Sequence, residues 1–221
     1  MLRRHGWLSR TTTEFREAII LKSQYRRLQA GETLFLAGEA PRGLYGLATG
    51  ALGAFIAPDD MLPVFAHFFQ PGSWFGEIPA LTGRHHVVGL QTSRETALLH
   101  LPMHALSELV VAKPHYWKFL GQLAAEHVEI AIGAVGDLMR RDNKQRFVAL
   151  LMRLAGGRTP GPHATPHEVD ISQEDLATIC NLARTTVNGI LNQLEEDRLI
   201  ERSYRRIRII DQDSLRALIT D

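Results

Sequence analysis

The stretch Ile171–Ile210 constrains this chain more than any other. Ser172 stands three residues ahead of Asp175, just before an apolar periodic run, a start signal of the capping-box type. Leu176, Ala177 and Ile179 make the buried side of a short first helix, and Cys180-Asn181-Leu182 fits a turn. Ala183 and Arg184 open a second helix, in which Val187, Ile190, Leu191 and Leu194 recur at core-facing intervals. Its opposite face carries Arg184, Thr185, Asn188, Asn192 and Gln193, and acids arrive only at Glu195-Glu196-Asp197. After Leu199 the chain alternates as strands do: Ile200 and Arg202, then Ile207 and Ile209, around a tip at Ser203-Tyr204. Arg202, Arg205, Arg206 and Arg208 cluster about that tip.

Helix, tight turn, helix and basic hairpin together make the pattern of a winged helix-turn-helix. The second helix has the chemistry to read a major groove. Arginine donates two hydrogen bonds to a guanine edge, asparagine bridges adenine, and a threonine methyl meets the thymine methyl. Arg184, Thr185 and Asn188 are therefore expected at bases, with Ser172, Gln173 and Thr186 at the sugar–phosphate backbone. The hairpin, with Tyr204, Arg205 and Arg206 at its tip, is expected to neutralise phosphates, which makes binding steeply salt-dependent. The competing readings are a merely solvated helix face and arginines kept for solubility.

Charge alone does not point to DNA. The formal net charge is +1, and from Arg141 onward 12 Lys/Arg balance 12 Asp/Glu, so binding must rest on local clustering. The 45% apolar and 22% charged content is that of a soluble globular protein, and 221 residues allow one large or two ordinary domains. No apolar run approaches the roughly 18 residues of a membrane span, and the N-terminus has no signal-peptide core. A single cysteine excludes a disulfide framework and points to a reducing compartment, so a cytoplasmic protein is expected. There is no nucleophile–base pair, no paired carboxylates in an apolar stretch and no Walker-type loop, so no enzyme, no catalytic residue and no metal site is expected.

Ahead of the hairpin and its helices the chain reads in three further textures. Residues 1–30 look helical, with Thr13 capping a segment that carries Phe15, Ala18, Ile19 and Leu21 on one side. From Gly31 to Leu101 short apolar alternations recur, at 33–36, 44–47, 52–56, 64–68 and 97–101. Glycines at 31, 38, 43, 50, 72 and 76 supply corners, and Asp59-Asp60 offers a hairpin turn, which together suggest a sandwich or roll. From Leu106 to about Met139 the pattern is one long helix with two seams. One is Tyr116, Leu120, Leu123, His127, Ile130, Ala134; the other is Trp117, Gly121, Ala124, Val128, Ala131, Val135, Leu138. A helix apolar on two sides needs two partners: its own sandwich and the same helix of a second subunit, giving a homodimer through 114–139. The alternative is a buried helix of a monomer. Asp142-Asn143-Lys144 is a polar break and the expected hinge, and Gly156-Gly157, Pro160-Gly161-Pro162 and Pro166 mark a loop.

Several short segments, in order and spacing, carry a family resemblance. In the roll they are Gly31-Glu32, Gly38-Glu39, Tyr45-x-Leu47 with Gly50, Gly72-Ser73-Trp74-Phe75-Gly76-Glu77-Ile78 and Leu81-Thr82-Gly83-Arg84. Further on they are Asp142-x-x-x-Arg146, Ile171 to Ala177, Arg184-x-Thr186-Val187, Leu191-x-x-Leu194 and Leu199-Ile200. Over 15–215 the sequence resembles the Crp/Fnr superfamily of bacterial transcription regulators. The resemblance implies an α+β chain in three parts: an N-terminal double-stranded β-roll of the cyclic-nucleotide-binding type over 1–112, a dimerisation helix and hinge over 113–141, and a winged helix-turn-helix over 142–221. It also implies a regulator that meets a palindromic promoter site as a homodimer, works with RNA polymerase and answers to an effector.

The departures from the family matter as much. Members that bind cyclic AMP carry an arginine and then a serine or threonine shortly after the Gly-Glu segment; the matching positions here are His86 and Val87. Losing a charge-assisted phosphate contact argues against a cyclic nucleotide. Gly76 and Glu77 remain, and Glu77 is where such members hold a ribose hydroxyl. Cys180 alone cannot hold an iron–sulfur cluster, and burial would silence it as a redox switch. Haem stays open, with His127 as the axial candidate among His67, His85, His86, His100, His104 and His127. Effector candidates are thus Gly76, Glu77, His86, Val87 and His127; the ligand is unnamed, or none exists and protein level alone sets activity. In the second helix, Thr185 and Gly189 stand where relatives of the cyclic-AMP receptor carry Glu and a second Arg, so the half-site should differ. The alternative function is a ligand- or haem-binding sensor module with little intrinsic DNA specificity.

Overall fold

The computed structural model describes residues 2–57, 62–156 and 168–220. The chain divides into two compact units, Met1–Glu129 and Ile130–Asp221. The Asp59-Asp60 turn and the Gly157 to Pro166 loop expected from the sequence lie outside the described residues.

In the first unit a short 3-10 turn (Trp7–Arg10) leads into α1 (Thr13–Lys22), and β1 (Gln24–Leu28) follows at once. The helical reading of 1–30 is thus corrected over its last third. Gln24–Leu28 pairs in register with the strand at 96–100, and an edge strand with charged outward residues shows no apolar period for a sequence reader to find. The cap of α1 is Thr12, not Thr13: its hydroxyl accepts from Phe15 N at 3.3 Å. Next come β2 (Thr33–Phe35), β3 (Gly43–Thr49), β4 (Leu52–Ile56), β5 (Val64–Phe69), β6 (Trp74–Phe75), α2 (Glu77–Thr82), β7 (Gly89–Thr92) and β8 (Thr96–Pro102).

They form two four-stranded antiparallel sheets, ordered β1-β8-β3-β6 and β2-β7-β4-β5. Alternation along β3 and β8 splits their side chains between two cores. Tyr45, Leu47 and Leu98 join Phe35, Leu52, Phe75 and Leu90 between the sheets. Leu44 and Leu101 face the other way, onto Trp7, Phe15, Ile19, Leu106 and Tyr116. Each expected corner glycine has positive φ. At Gly43 the reason is contact as well as conformation, since a Cβ there would fall 2.0 Å from Leu101 O.

The long helical pattern is interrupted. α3 (Met103–Ala112) ends ahead of a 3-10 turn at Pro114–Tyr116, and α4 (Trp117–Leu138) begins afterwards. Pro114 has no N–H to continue the ladder and pushes Lys113 out of the helical region, to φ −138 and ψ 82. The two seams of α4 behave differently. Tyr116, Leu120 and Leu123 are buried in the helix-side core, whereas Trp117, Gly121, Val128, Ala131, Val135 and Leu138 are exposed.

The second unit holds α5 (Asn143–Leu154), β9 (Glu168–Asp170), α6 (Gln173–Cys180), α7 (Arg184–Glu196), β10 (Ile200–Ser203), β11 (Arg206–Ile209) and α8 (Gln212–Ala217). The expected hinge residue Asp142 is the N-cap of α5, accepting from Gln145 N at 2.8 Å. Phe147, Val148, Leu150, Leu151 and Leu154 bury α5 as the central rod on which the other helices pack. The hairpin gains a third strand, β9, antiparallel to β11. Among the described residues no helix is long and apolar enough to cross a membrane.

Candidate nucleic-acid interface and the roll interior

The turn between α6 and α7 is made by Asn181, at φ 51 and ψ 50, and closed by Leu182 N donating to Ala177 O at 3.0 Å. Asparagine tolerates this left-handed position better than most residues. α6 therefore runs one residue further than expected, through Cys180. At its start, Ser172 Oγ accepts from Asp175 N at 3.0 Å and donates to Asp175 Oδ2 at 2.6 Å, so its hydroxyl is committed to the cap.

α7 is built the other way. Its N-cap, Ala183, has no side chain to offer, and its first turn holds no acid. The free N–H groups of that turn, together with the exposed Arg184, make a positive end suited to an anion. Sequence reading noted the absent acids but not the missing cap; alanine at that position was the available signal. Val187, Ile190, Leu191 and Leu194 are buried as their spacing predicts. Thr185, Asn192 and Gln193 are exposed and Thr186 is half-buried. Asn188 is half-buried as well, and its Oδ1 is enclosed without a hydrogen-bond partner.

A groove of about 290 Å³ lies between the α6 and α7 starts and the hairpin. It brings together Ser172, Gln173, Arg184, Tyr204, Arg205 and Arg206, and it also admits Glu174. Thr185, Thr186 and Asn188 lie on α7 outside its lining. The hairpin tip is Tyr204-Arg205, one residue later than expected, with Ser203 paired to Arg206 and Arg205 at φ 55.

The arginine cluster is not uniformly free. Arg202 forks onto α7: its Nε donates to Glu195 Oε2 at 2.8 Å, its Nη2 to Asn192 Oδ1 at 2.9 Å, and its backbone N to Glu195 Oε1 at 3.0 Å. Hydrogen bonding from Arg202 holds the Glu195 carboxyl below its usual range. Arg208 is paired closely with Glu201, and Arg206 lies 3.5 Å from Glu168. Tyr204, 92% exposed, and Arg205, also exposed, are left to meet a partner.

In the first unit, Gly76 caps α2 at φ 99, and a Cβ there would lie 2.4 Å from Gly43 O, so the fold itself demands glycine. Glu77 is 2% exposed and its Oε1 lies 2.7 Å from His127 Nδ1. The structure thus joins Gly76, Glu77 and His127. His86 sits apart from that contact, buried and stacked on Phe35 at 3.8 Å, with Nε2 unpartnered; burial lowers its pKa from 6.5. Val87 is 61% exposed. At the positions that the resemblance gives to the phosphate and the ribose hydroxyl, His86 is a buried ring, Val87 points outward and Glu77 is already engaged by His127, and this set does not fit a cyclic nucleotide. Cys180 is buried, and desolvation pushes its thiol up to about 12. Among the described residues no cluster of three or more His, Cys, Asp or Glu is placed to hold a metal ion.

A β-roll followed by a winged helix-turn-helix defines a DNA-binding regulator class. The Crp-like helix-turn-helix domain family matches residues 145–218, and the cyclic nucleotide-binding domain family matches residues 25–113. The transcriptional activator protein Anr of Pseudomonas protegens is 23% identical over 194 residues, covering 87% of this chain and 79% of that protein. The cAMP-activated global transcriptional regulator CRP of Salmonella typhimurium is 21% identical over 169 residues, 76% of this chain and 80% of that one. The solved structure of FixK2 from Bradyrhizobium japonicum has the same fold, with a TM-score of 0.74 at 18% identity, over 90% of this chain and 98% of that one. The chain belongs to the Crp/Fnr family of transcription regulators.

Proposed function

We propose that this regulator binds a palindromic promoter site as a homodimer, with α7 of each subunit in a major groove. The observation that carries the reading is the start of α7: uncapped, acid-free and topped by Arg184, at one side of the groove that also holds the hairpin tip. Arg184 and Thr185 face bases, and Asn188 offers them its amide donors, its Oδ1 being enclosed; Gln173, Thr186 and the backbone around Ser172 meet one strand's phosphates; Tyr204, Arg205 and Arg206 meet the other. The functional division we assign is roll 1–112, dimer helix 113–141 and reader 142–221. The exposed seam of α4 supports dimerisation, since an apolar stripe of Trp117, Val128, Ile132, Val135 and Leu138 is out of place on a monomer's surface. The dimer acts in the cytoplasm on RNA polymerase bound nearby.

Sedimentation of the full chain and selection of duplexes from a random pool test this together. The expected result is a dimer that enriches a two-fold symmetric site. Arg184→Ala should weaken it by about 1–3 kcal/mol and relax one position of each half-site. A monomer, or enrichment of asymmetric sites that R184A leaves unchanged, overturns it.

A further inference from the structure

The first unit contains a polar contact that DNA reading does not use. Glu77 opens α2 in the roll, buried, and the partner of its carboxylate comes from α4, 50 residues along the chain. The carboxylate can only accept, so the ring nitrogen carries the proton. A buried carboxylate left unpaired is costly enough that something must hold it. Rings line the contact on its inner side. Phe69 meets His127 edge to face at 5.6 Å and packs on Phe75 at 5.3 Å. Deeper in, Phe75 stacks with Tyr45 at 5.8 Å, and Phe35 lies between Tyr45 and His86 at 5.6 and 3.8 Å. Phe35, Tyr45 and Phe75 belong, with Leu47, Leu52, Leu90 and Leu98, to the core between the sheets, and Phe69 packs against it.

We propose that His127 occupies Glu77 in place of a ligand's hydroxyl, so that the roll is closed from within and the protein recognises its DNA without a cyclic nucleotide. The second half of this statement rests on the DNA-binding reading above; the first does not. A ligand can bias two states only by its differential affinity for them. A bond between roll and α4 made by the chain itself is present at every ligand concentration, as though a site were permanently saturated. The neutral His86 and the outward Val87 agree with this, because a closed roll has no use for a phosphate partner.

Two measurements on the full chain test the proposal. Calorimetry with cyclic AMP and cyclic GMP should show no binding up to ~1 mM, a threshold near −4 kcal/mol; micromolar binding of either overturns the closure. Anisotropy with a selected duplex, well below the melting temperature, should give one affinity with or without nucleotide. His127→Ala should lose about tenfold or more in DNA affinity, within the usual range of coupling between sites. His127→Asn should restore it, because Nδ2 stands as many bonds from the backbone as Nδ1 and can donate to Glu77. If H127A binds DNA as tightly as the wild type, the bond serves only the fold and the proposal fails. If the wild type enriches no duplex at all, the DNA reading fails, and calorimetry still decides whether the roll is closed.

Discussion

Asp137 and Arg153 form an ion pair that water hardly reaches. Arg153 Nε donates to Asp137 Oδ2 at 2.9 Å, with the side chains 8% and 2% exposed respectively. Asp137 sits in the last turn of α4 and Arg153 in the last turn of α5, so the pair ties the end of α4, which falls within the second unit, to α5. Asp137→Ala would leave the guanidinium buried without that counter-charge, which costs about 3–5 kcal/mol. The same truncation in an exposed pair such as Arg27–Glu95 costs about 0–1 kcal/mol, so burial decides the size of the effect. At a urea slope of about 2 kcal/mol/M, a loss of about 4 kcal/mol moves the midpoint by about 2 M. The three tryptophans, Trp7, Trp74 and Trp117, all lie in the first unit, so fluorescence follows that unit while far-UV circular dichroism follows both. The expected result is a dichroism transition that moves and a fluorescence transition that stays. Asp137→Leu with Arg153→Met should recover most of the loss, because removing both charges also removes both desolvation penalties. A shift in D137A below about 0.5 M, or an equal shift in both signals, would refute the assignment of a local, buried pair.

Other outcomes follow from the same geometry. Arg205→Ala should reduce the slope of log affinity against log salt by about 0.9, while Arg202→Ala should weaken binding with a smaller change of slope, because Arg202 is bonded to Glu195 and Asn192 rather than free for phosphate. The Cys180 thiol, pushed up to about 12 and buried, should not react with an aromatic disulfide reagent at neutral pH until urea unfolds the second unit. Burial lowers the pKa of both His86 and His100 from 6.5, so the unfolded chain takes up protons first. Roll stability should therefore be level above about pH 6.5 and fall as pH drops below it, and His86→Phe should flatten the decline in a series of thermal melts.

Much of the fold was legible because burial wrote a period into the sequence. The strands at 33–35, 43–49, 52–56, 64–69 and 96–102 fall where alternation placed them, and α7 buries the four apolar residues its spacing picked out. The misses share a cause. β1 lies at an edge with outward charges, β9 is three residues long, and β6 is two; none is long enough or sided enough to show a period. The break at Pro114 was visible as a letter but was outvoted by apolar spacing that continues on both sides of it. His127 was noticed on a helix seam and Glu77 in a motif, yet only folding, across 50 residues, shows that they meet. Nothing local in the sequence pairs Asp137 with Arg153, on the next helix.

The same limit explains how a reader of DNA can be nearly neutral. The sequence shows four arginines around a hairpin and suggests a basic wing. The structure gives Arg202 to Glu195, Arg208 to Glu201 and, more loosely, Arg206 to Glu168. Three of the 12 acids in the C-terminal third, Glu168, Glu195 and Glu201, thus brace the wing. Arg202 fixes the hairpin to the far half of α7, and the tip then stands at the groove that Arg184 enters. Positive charge is left where the braces end: at Arg205, at Arg184 and at the uncapped N–H groups of α7. Few charges held in place by paired neighbours give a small electrostatic term and a well-defined geometry. Discrimination between base sequences should therefore be large in this protein relative to its non-specific affinity, and salt should weaken it less than four free arginines per wing would imply.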